Sequence, residues 1–280
     1  MKHNSLTLNS LKSINLKQTL VPLETPIIMG ILNITEDSFY DGGRYLSETS
    51  FLKRVEQIVE EGATIVDIGA VSTKPNAAEI NEKQEFEVIK KYLQLILSHF
   101  PNTLVSVDTF RASVADMAIQ EGVAMINDVS GGVDPDMFDV VGKHSVPYIL
   151  THNNRSEPIA TKELISKILS FFGNNIEKLV SKGVKDIIID PGFGFGKTVE
   201  QNYYLIKHLE TFSITGFPIL VGISRKSMIQ NFLCTSPAES LTGTMILNTI
   251  SLGNGATILR VHDVKQSAET IKIFNLLRSL

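Results

Sequence analysis

An alternation constrains this chain more than any other feature. Eight short apolar runs rich in β-branched residues recur along it: Ile27–Leu32, Thr64–Ile68, Thr103–Val107, Ala124–Ile126, Pro147–Leu150, Asp186–Ile189, Pro218–Val221 and Ala256–Leu259. Each ends in a polar or glycine-containing stretch and gives way to a segment with helical spacing. These segments are Phe51–Glu61, Glu82–Phe100, Arg111–Glu121, the shorter Pro135–Val141, Lys162–Lys182, Gln201–Glu210, Glu239–Leu252 and Val264–Leu277. Strands that are apolar on both faces and joined by helices predict a parallel sheet, and eight of them fit a closed (β/α)8 TIM barrel. Such a barrel commonly takes about 250 residues as one unit, so residues 1–280 are expected to form a single domain. Alternation in Leu6–Thr7–Leu8 and in Ile14–Asn15–Leu16 predicts a short N-terminal β-hairpin over the barrel floor.

Composition narrows the partners. The chain is 43% hydrophobic and 20% charged, ordinary globular values that exclude wholesale disorder. A net charge of −4 argues against nucleic acid or an anionic membrane as the main partner, so any bound anion must be held by a local cluster. No apolar run approaches the roughly 20 residues of a membrane span. Residues Met1–Leu20 lack the apolar core of a secretory signal, and the only cysteine, Cys234, excludes an intramolecular disulfide and any cysteine-built zinc site. A cytoplasmic location is expected.

In such a barrel the chemistry lies at the C-terminal ends of the strands, and the polar residues after the eight runs sort into two sets. Asp108, Asn127 and Asp190 suit a flat, nitrogen-rich ring whose N–H groups need acceptors, with Lys197 and Lys226 nearby and Phe195 as a wall. Singly, each of the three is more often a helix cap. Thr73 and Lys74, Ser224 and Arg225, and Arg260 with His262 suit a phosphate. Arg260 and His262 stand two apart at a strand end, so their side chains point the same way. Asn33 offers an oxygen to Mg²⁺, an ion that keeps most of its waters when phosphate is present. The long first loop, with Asp37, Asp41, Gly42 and Gly43, reads equally as a lid or a plain surface loop. Glycines at every second position in Asp190-Pro-Gly-Phe-Gly-Phe-Gly-Lys197 match neither a P-loop nor a dinucleotide fingerprint.

Taken together, Met29-Gly-Ile-Leu-Asn33, Asp37-Ser-Phe-Tyr-Asp-Gly-Gly43, Asp67-Ile-Gly69, Ser106-Val-Asp-Thr109, Ile126-Asn-Asp-Val-Ser-Gly-Gly132, the glycine loop, Ser224-Arg-Lys226 and Arg260-Val-His262 resemble the dihydropteroate synthase family over nearly the whole chain. The resemblance implies a homodimeric TIM barrel that joins 4-aminobenzoate to 6-hydroxymethyl-7,8-dihydropterin diphosphate with Mg²⁺ and releases diphosphate. It implies pterin binding by Asp108, Asn127, Asp190, Phe195 and Lys226, a metal ligand in Asn33, and diphosphate or 4-aminobenzoate binding by Thr73, Lys74, Arg260 and His262, beside the Ser224 and Arg225 already read as suited to phosphate. It also implies catalytic roles for Asp108, Lys226 and Asp41 around a pterin cation formed as diphosphate departs. Lys74 stands where the family usually has Arg, and Thr151-His152 where it usually has Met-His. Two other readings share the pocket. A degenerate pterin-binding paralogue would bind without turnover, and a folate-to-corrinoid methyltransferase would have no use for the cationic residues of the seventh and eighth loops.

Overall fold

In a computed structural model of the chain, residues 13–34, 44–70, 80–154 and 158–280 are described. A hairpin of β1 (Ser13–Leu16) and β2 (Thr19–Pro22) precedes the first barrel strand, β3 (Ile27–Asn33). Then follow α1 (Arg44–Glu60), β4 (Ile65–Gly69), α2 (Glu82–His99), β5 (Leu104–Asp108), α3 (Ala112–Gln120), β6 (Met125–Asp128), α4 (Met137–His144) and β7 (Tyr148–Thr151). The chain continues through α5 (Leu164–Ser181), β8 (Ile187–Asp190), α6 (Val199–Lys207), β9 (Leu220–Val221), α7 (Ser227–Leu233), α8 (Leu241–Gly253), β10 (Ile258–Val261) and α9 (Val264–Ser279).

The eight strands β3–β10 run in the order β8-β7-β6-β5-β4-β3-β10-β9, and every pairing is parallel. A single parallel bridge, Ile189 to Ile219, joins the two ends of the sheet, reinforced where the Ile189 N–H donates to the Pro218 carbonyl at 2.9 Å. The expected (β/α)8 barrel is therefore what forms.

Strand alternation divides the apolar residues into two bodies. Residues such as Ile28, Val66, Val105, Ile126, Leu150, Ile187, Val221 and Leu259 face outward into the layer shared with the helices. Ile27, Met29, Ile65, Met125, Ile149, Ile188, Leu220 and Ile258 face the axis, where they pack with Ile14, Leu16, Val21 and Leu23 of the hairpin segment. The hairpin plugs the barrel floor as expected, but its pairing differs from the expected one. The partner of Ile14–Leu16 is Thr19–Val21, while Leu6–Leu8 lie outside the described residues. Its two-residue turn places Lys17 and Gln18 at φ 50° and 65°, the left-handed geometry that matches strand twist in tight hairpins.

Other boundaries shift for local reasons. Apart from β9, the barrel strands extend one or two residues further than the apolar runs, so that Asn33, Asp108, Asn127, Thr151 and Asp190 belong to the sheet itself. Helix α7 was not read from sequence, being only seven residues long. The stretches Thr161–Glu163, Leu209–Thr215 and Ala238–Ser240 wind as 3₁₀ turns, overlapping the expected helices at Lys162–Glu163, Leu209–Glu210 and Glu239–Ser240. Helices α2 and α6 begin in reciprocal caps, Asn81 with Gln84 and Thr198 with Gln201, which satisfy amide groups left over at a helix start.

Leu16 is fully buried in the floor cluster, so Leu16→Ala should cost about 2–5 kcal/mol. Urea unfolding measures it. A loss below about 1 kcal/mol would mean that the hairpin stands outside the cooperative core.

Candidate active site

The inward parity that supplies an apolar floor supplies a polar crown two residues further up each strand. Asp67 on β4, Asp108 on β5, Asn127 on β6, Asp190 on β8 and Arg260 on β10 carry it. In the sheet Gly69 pairs with Asp108, Asp108 with Asn127 and Thr151 with Asp190, so these strand ends rise to one rim.

Arg260 holds the crown together. Its Nε donates to Asp67 Oδ2 at 2.7 Å, its Nη2 stands 2.6 Å from that same oxygen as an ion pair, and Nη2 donates to Asp108 Oδ2 at 2.6 Å. The Asn127 amide donates to that Asp67 oxygen at 3.2 Å. Burial pushes the Asp108 carboxyl up to about 7; Arg260 and Lys226 oppose the rise, and the neighbouring Asp67 and Asp128 add to it. Burial also raises Asp190, against the pull of Lys226, the Gly192 amide, Lys197 and Arg260.

The glycine loop after β8 is shaped around Asp190. The carboxylate accepts from the Gly192 amide at 2.7 Å. Gly192 sits at φ 75°, and a Cβ there would lie 1.9 Å from the His152 carbonyl oxygen, so no other residue fits. Lys197 donates to the carbonyls of Gly192, His152 and Phe195 at 2.7, 3.2 and 3.2 Å, and burial lowers it to about 7 against the raising effect of Asp190. Its ammonium holds the loop's backbone. Lys226, by contrast, donates to the Phe193 carbonyl and stands 4.6 Å from the centre of the Phe195 ring, with electrostatic reach to both Asp108 and Asp190. The five residues assigned to a pterin therefore converge.

The anion set is placed differently. Ser224 is buried, and its Oγ accepts from the His262 amide at 3.2 Å. Arg225 adopts φ 53°, and its fork grips Asp263, Nε to Oδ2 at 2.9 Å and Nη2 to Oδ1 at 2.6 Å. Its guanidinium clips the loop after β9 to the loop after β10 instead of standing open to an anion. Burial lowers His262 to about 4, and Arg260 pushes the same way, so the imidazole is neutral at pH 7 and would donate an N–H without a charge. Arg260, expected beside His262 as an anion grip, already has carboxylate partners on β4 and β5.

Asn33 ends β3 with its side chain exposed at the mouth. No cluster of three or more His, Cys, Asp or Glu with metal-ligating geometry occurs among the described residues. Asp41, Thr73 and Lys74 lie outside the described residues.

Sequence reasoning passed over two carboxylates. Asp67 stands two residues after inward-facing Ile65, so strand parity alone would have flagged it, and Asp263 directly follows the Arg260-Val-His262 motif. It also assigned no role to Asp128, which faces outward and accepts from Ser130 N, Ser130 Oγ, Gly132 N and Tyr148 Oη at 2.7, 2.6, 2.9 and 2.6 Å. That carboxylate fixes the turn beyond Asn127.

Residues 29–262 match the pterin binding enzyme family. The chain belongs to that family. It is 38% identical to the dihydropteroate synthase of Bacillus subtilis over 255 residues, covering 90% of this chain and 88% of that protein. Among solved structures, a Xanthomonas albilineans dihydropteroate synthase with 4-aminobenzoic acid superposes with a TM-score of 0.89 at 29% identity, covering 96% and 99% of the two chains. A Clostridium difficile dihydropteroate synthase solved in the presence of pteroic acid gives a TM-score of 0.86 at 34% identity, covering 91% and 97%.

The family's crown now frames a test of the Arg225 clip. If Arg225 acts by joining the two loops, Asp263→Asn should weaken binding of the pterin diphosphate, by about tenfold for one lost charge-assisted pair. If Arg225 instead grips the anion directly, releasing its fork should leave that affinity unchanged or raise it. Isothermal titration separates the two.

Proposed function

We propose that the protein condenses 6-hydroxymethyl-7,8-dihydropterin diphosphate with 4-aminobenzoate at this crown, giving 7,8-dihydropteroate and diphosphate. One observation carries the assignment. Two buried carboxylates, Asp108 and Asp190, face one space with Lys226 beside them and the Phe195 ring as a wall. Each already accepts one protein donor, Arg260 at Asp108 and the Gly192 amide at Asp190, and the further acceptor capacity of two carboxylates matches the N–H groups that a pterin edge presents.

In the proposed reaction the methylene C–O bond breaks, its electron pair leaves with diphosphate, and the lone pair of the arylamine nitrogen forms the new C–N bond as that nitrogen sheds a proton. Asp108 stabilises the positive charge that develops on the pterin, with Asp41 contributing from the first loop. Lys226 orients the ring against Phe195 and balances Asp190. Ser224, Arg260 and the neutral His262 receive the anionic groups together with Thr73 and Lys74 of the second loop, while Arg225 supports that wall through Asp263. An exposed amide oxygen at Asn33, with no carboxylate cage around it among the described residues, suits an ion held mainly by water and diphosphate. Mg²⁺ bound there would neutralise charge on the leaving group.

We read the protein as a cytoplasmic homodimer. No helix among the described residues is long and apolar enough to cross a membrane, and the exposed side chains of Phe232 on α7 and Ile246 and Ile250 on α8 offer an apolar face of the kind a second copy would cover.

Diphosphate release on mixing the two substrates with Mg²⁺ tests the activity. Turnover is expected, and pterin binding without turnover would support the degenerate reading instead. Asp190→Asn keeps the shape but presents a donor where an acceptor is needed. Pterin affinity should drop about 10- to 100-fold with little change in Tm, whereas a large fall in Tm with affinity intact would make Asp190 structural. The pH dependence follows from Asp108. Its carboxyl, held near 7, ionises as pH rises, so binding of the bare hydroxymethyl dihydropterin should tighten through pH 7 and weaken up to about tenfold per unit below it. A flat titration between pH 6 and 8 would remove Asp108 from the binding set.

A further inference from the structure

We propose that Asp67 is a positioning residue: it anchors the Arg260 guanidinium beside Asp108, and through Arg260 it sets both the place of the cation that meets diphosphate and the charge state of the carboxylate that meets the pterin. The inference rests on the synthase reading but can be tested without turnover.

The geometry is one-sided. Asp67 is fully buried, and its Oδ2 accepts from Arg260 Nε and from the Asn127 amide, with Arg260 Nη2 paired to it at 2.6 Å. Its Oδ1, equally buried, has no hydrogen-bond partner among the described residues, and neither has the Oγ of Ser106, its cross-strand neighbour on β5. Arg260 is therefore the only cation paired with Asp67 among the described residues, the Asn127 amide adding a neutral donor. Arg260, in turn, cannot follow an incoming anion without leaving that charge alone in a dry site, which is costly. Asp67 lies one residue pair below Asp108 on the axis side, since Gly69 is the residue opposite Asp108, so it touches the pocket through Arg260 and Asn127.

Asp108 feels the trio as a whole. The charged groups facing it are Arg260 from β10, Asp67 from β4, Asp128 from β6 and Lys226 from the loop after β9. Arg260 divides its donors between two carboxylates, so each receives less than a whole counter-charge, and Asp67 adds repulsion. Removing the Asp67 charge leaves Arg260 to serve Asp108 alone. The Asp108 proton should then be lost at lower pH.

Asp67→Asn keeps the outline and an acceptor oxygen while removing the charge. Two measurements read its effect. The first is the pH midpoint for binding bare hydroxymethyl dihydropterin, checked by NMR titration of ¹³C-labelled aspartate carboxyls in the ligand-free protein. The midpoint should fall by on the order of one pH unit. An unmoved midpoint in a folded variant overturns the proposal, because a purely structural Asp67 would not shift a titration on the neighbouring strand. The second is affinity for the diphosphate form, in a cycle with Arg260→Met. Asp67→Asn should weaken it about tenfold in the wild-type background and have little further effect once Arg260 is gone. Equal losses in both backgrounds would show that Asp67 does not act through Arg260, and that too overturns the proposal. If Asp67→Asn does not fold, Asp67→Ser removes the same charge with less bulk and gives the same readouts. Absence of turnover in the wild-type protein would count against the synthase reading alone, since both measurements are of binding.

Discussion

A closed ring of eight strands gives each inward side chain one of two environments, and everything at this site depends on where the change between them falls. Below, Ile27, Met29, Ile65, Met125, Ile149, Ile188, Leu220 and Ile258 meet the underside plug of Ile14, Leu16 and Val21, leaving the axis dry. Above, the same parity delivers Asp67, Asp108, Asn127, Asp190 and Arg260. Polar groups standing on an apolar floor cannot be solvated from beneath, so their charges must be settled among themselves. The hairpin at one end of the barrel therefore bears on the titration of carboxylates at the other, because it excludes water from below the crown.

Settling those charges produces opposite demands on groups that sequence reasoning treated alike. Asp108 and Asp190 are pushed towards protonation by burial and held back by Arg260 and Lys226. His262, read as part of a cationic grip, is driven neutral by burial and by Arg260. Arg260 itself stays firmly charged: burial works against it, but Asp67 and Asp108 more than offset the cost. The cations of the crown are thus largely matched by carboxylates before a ligand arrives. A diphosphate leaving group needs charge from elsewhere, which is why the reading proposed above looks to Lys74 in the second loop and to Mg²⁺ at Asn33.

Much of this was legible in the sequence because it rests on short-range periodicity. Eight apolar runs, helical spacing between them and a polar residue at the end of each run specify the barrel and its working face. Pairings across the barrel were not legible. Arg260 reaches Asp67 and Asp108 from the other end of the chain, and whether it meets a carboxylate or an anion depends on which residues share its layer. Arg225 and Asp263 sit on consecutive βα loops, so their pairing follows from β9 lying beside β10 in the sheet and cannot be read from either motif. The short α7 failed for another reason. It is too brief for a period to show, and tertiary packing holds it in place.

The two lysines at the mouth show how backbone geometry assigns roles that composition cannot. Lys197 and Lys226 stand near the same carboxylate, Asp190, and in the sequence both are cations beside the set read for a flat ring, with only Lys226 assigned to a pterin. Gly192 sits at a φ open to glycine, with no room for a Cβ beside the His152 carbonyl, and its own carbonyl converges with those of His152 and Phe195 on one point. Three convergent acceptors demand a donor with three hydrogens, and an ammonium supplies them. Lys197 is thereby committed to the loop that carries Asp190 and Phe195. Lys226, arriving from the loop after β9, spends one donor on the Phe193 carbonyl and lies over the face of the Phe195 ring. It is the lysine placed to meet a flat ligand, in a pocket whose wall Lys197 keeps in shape.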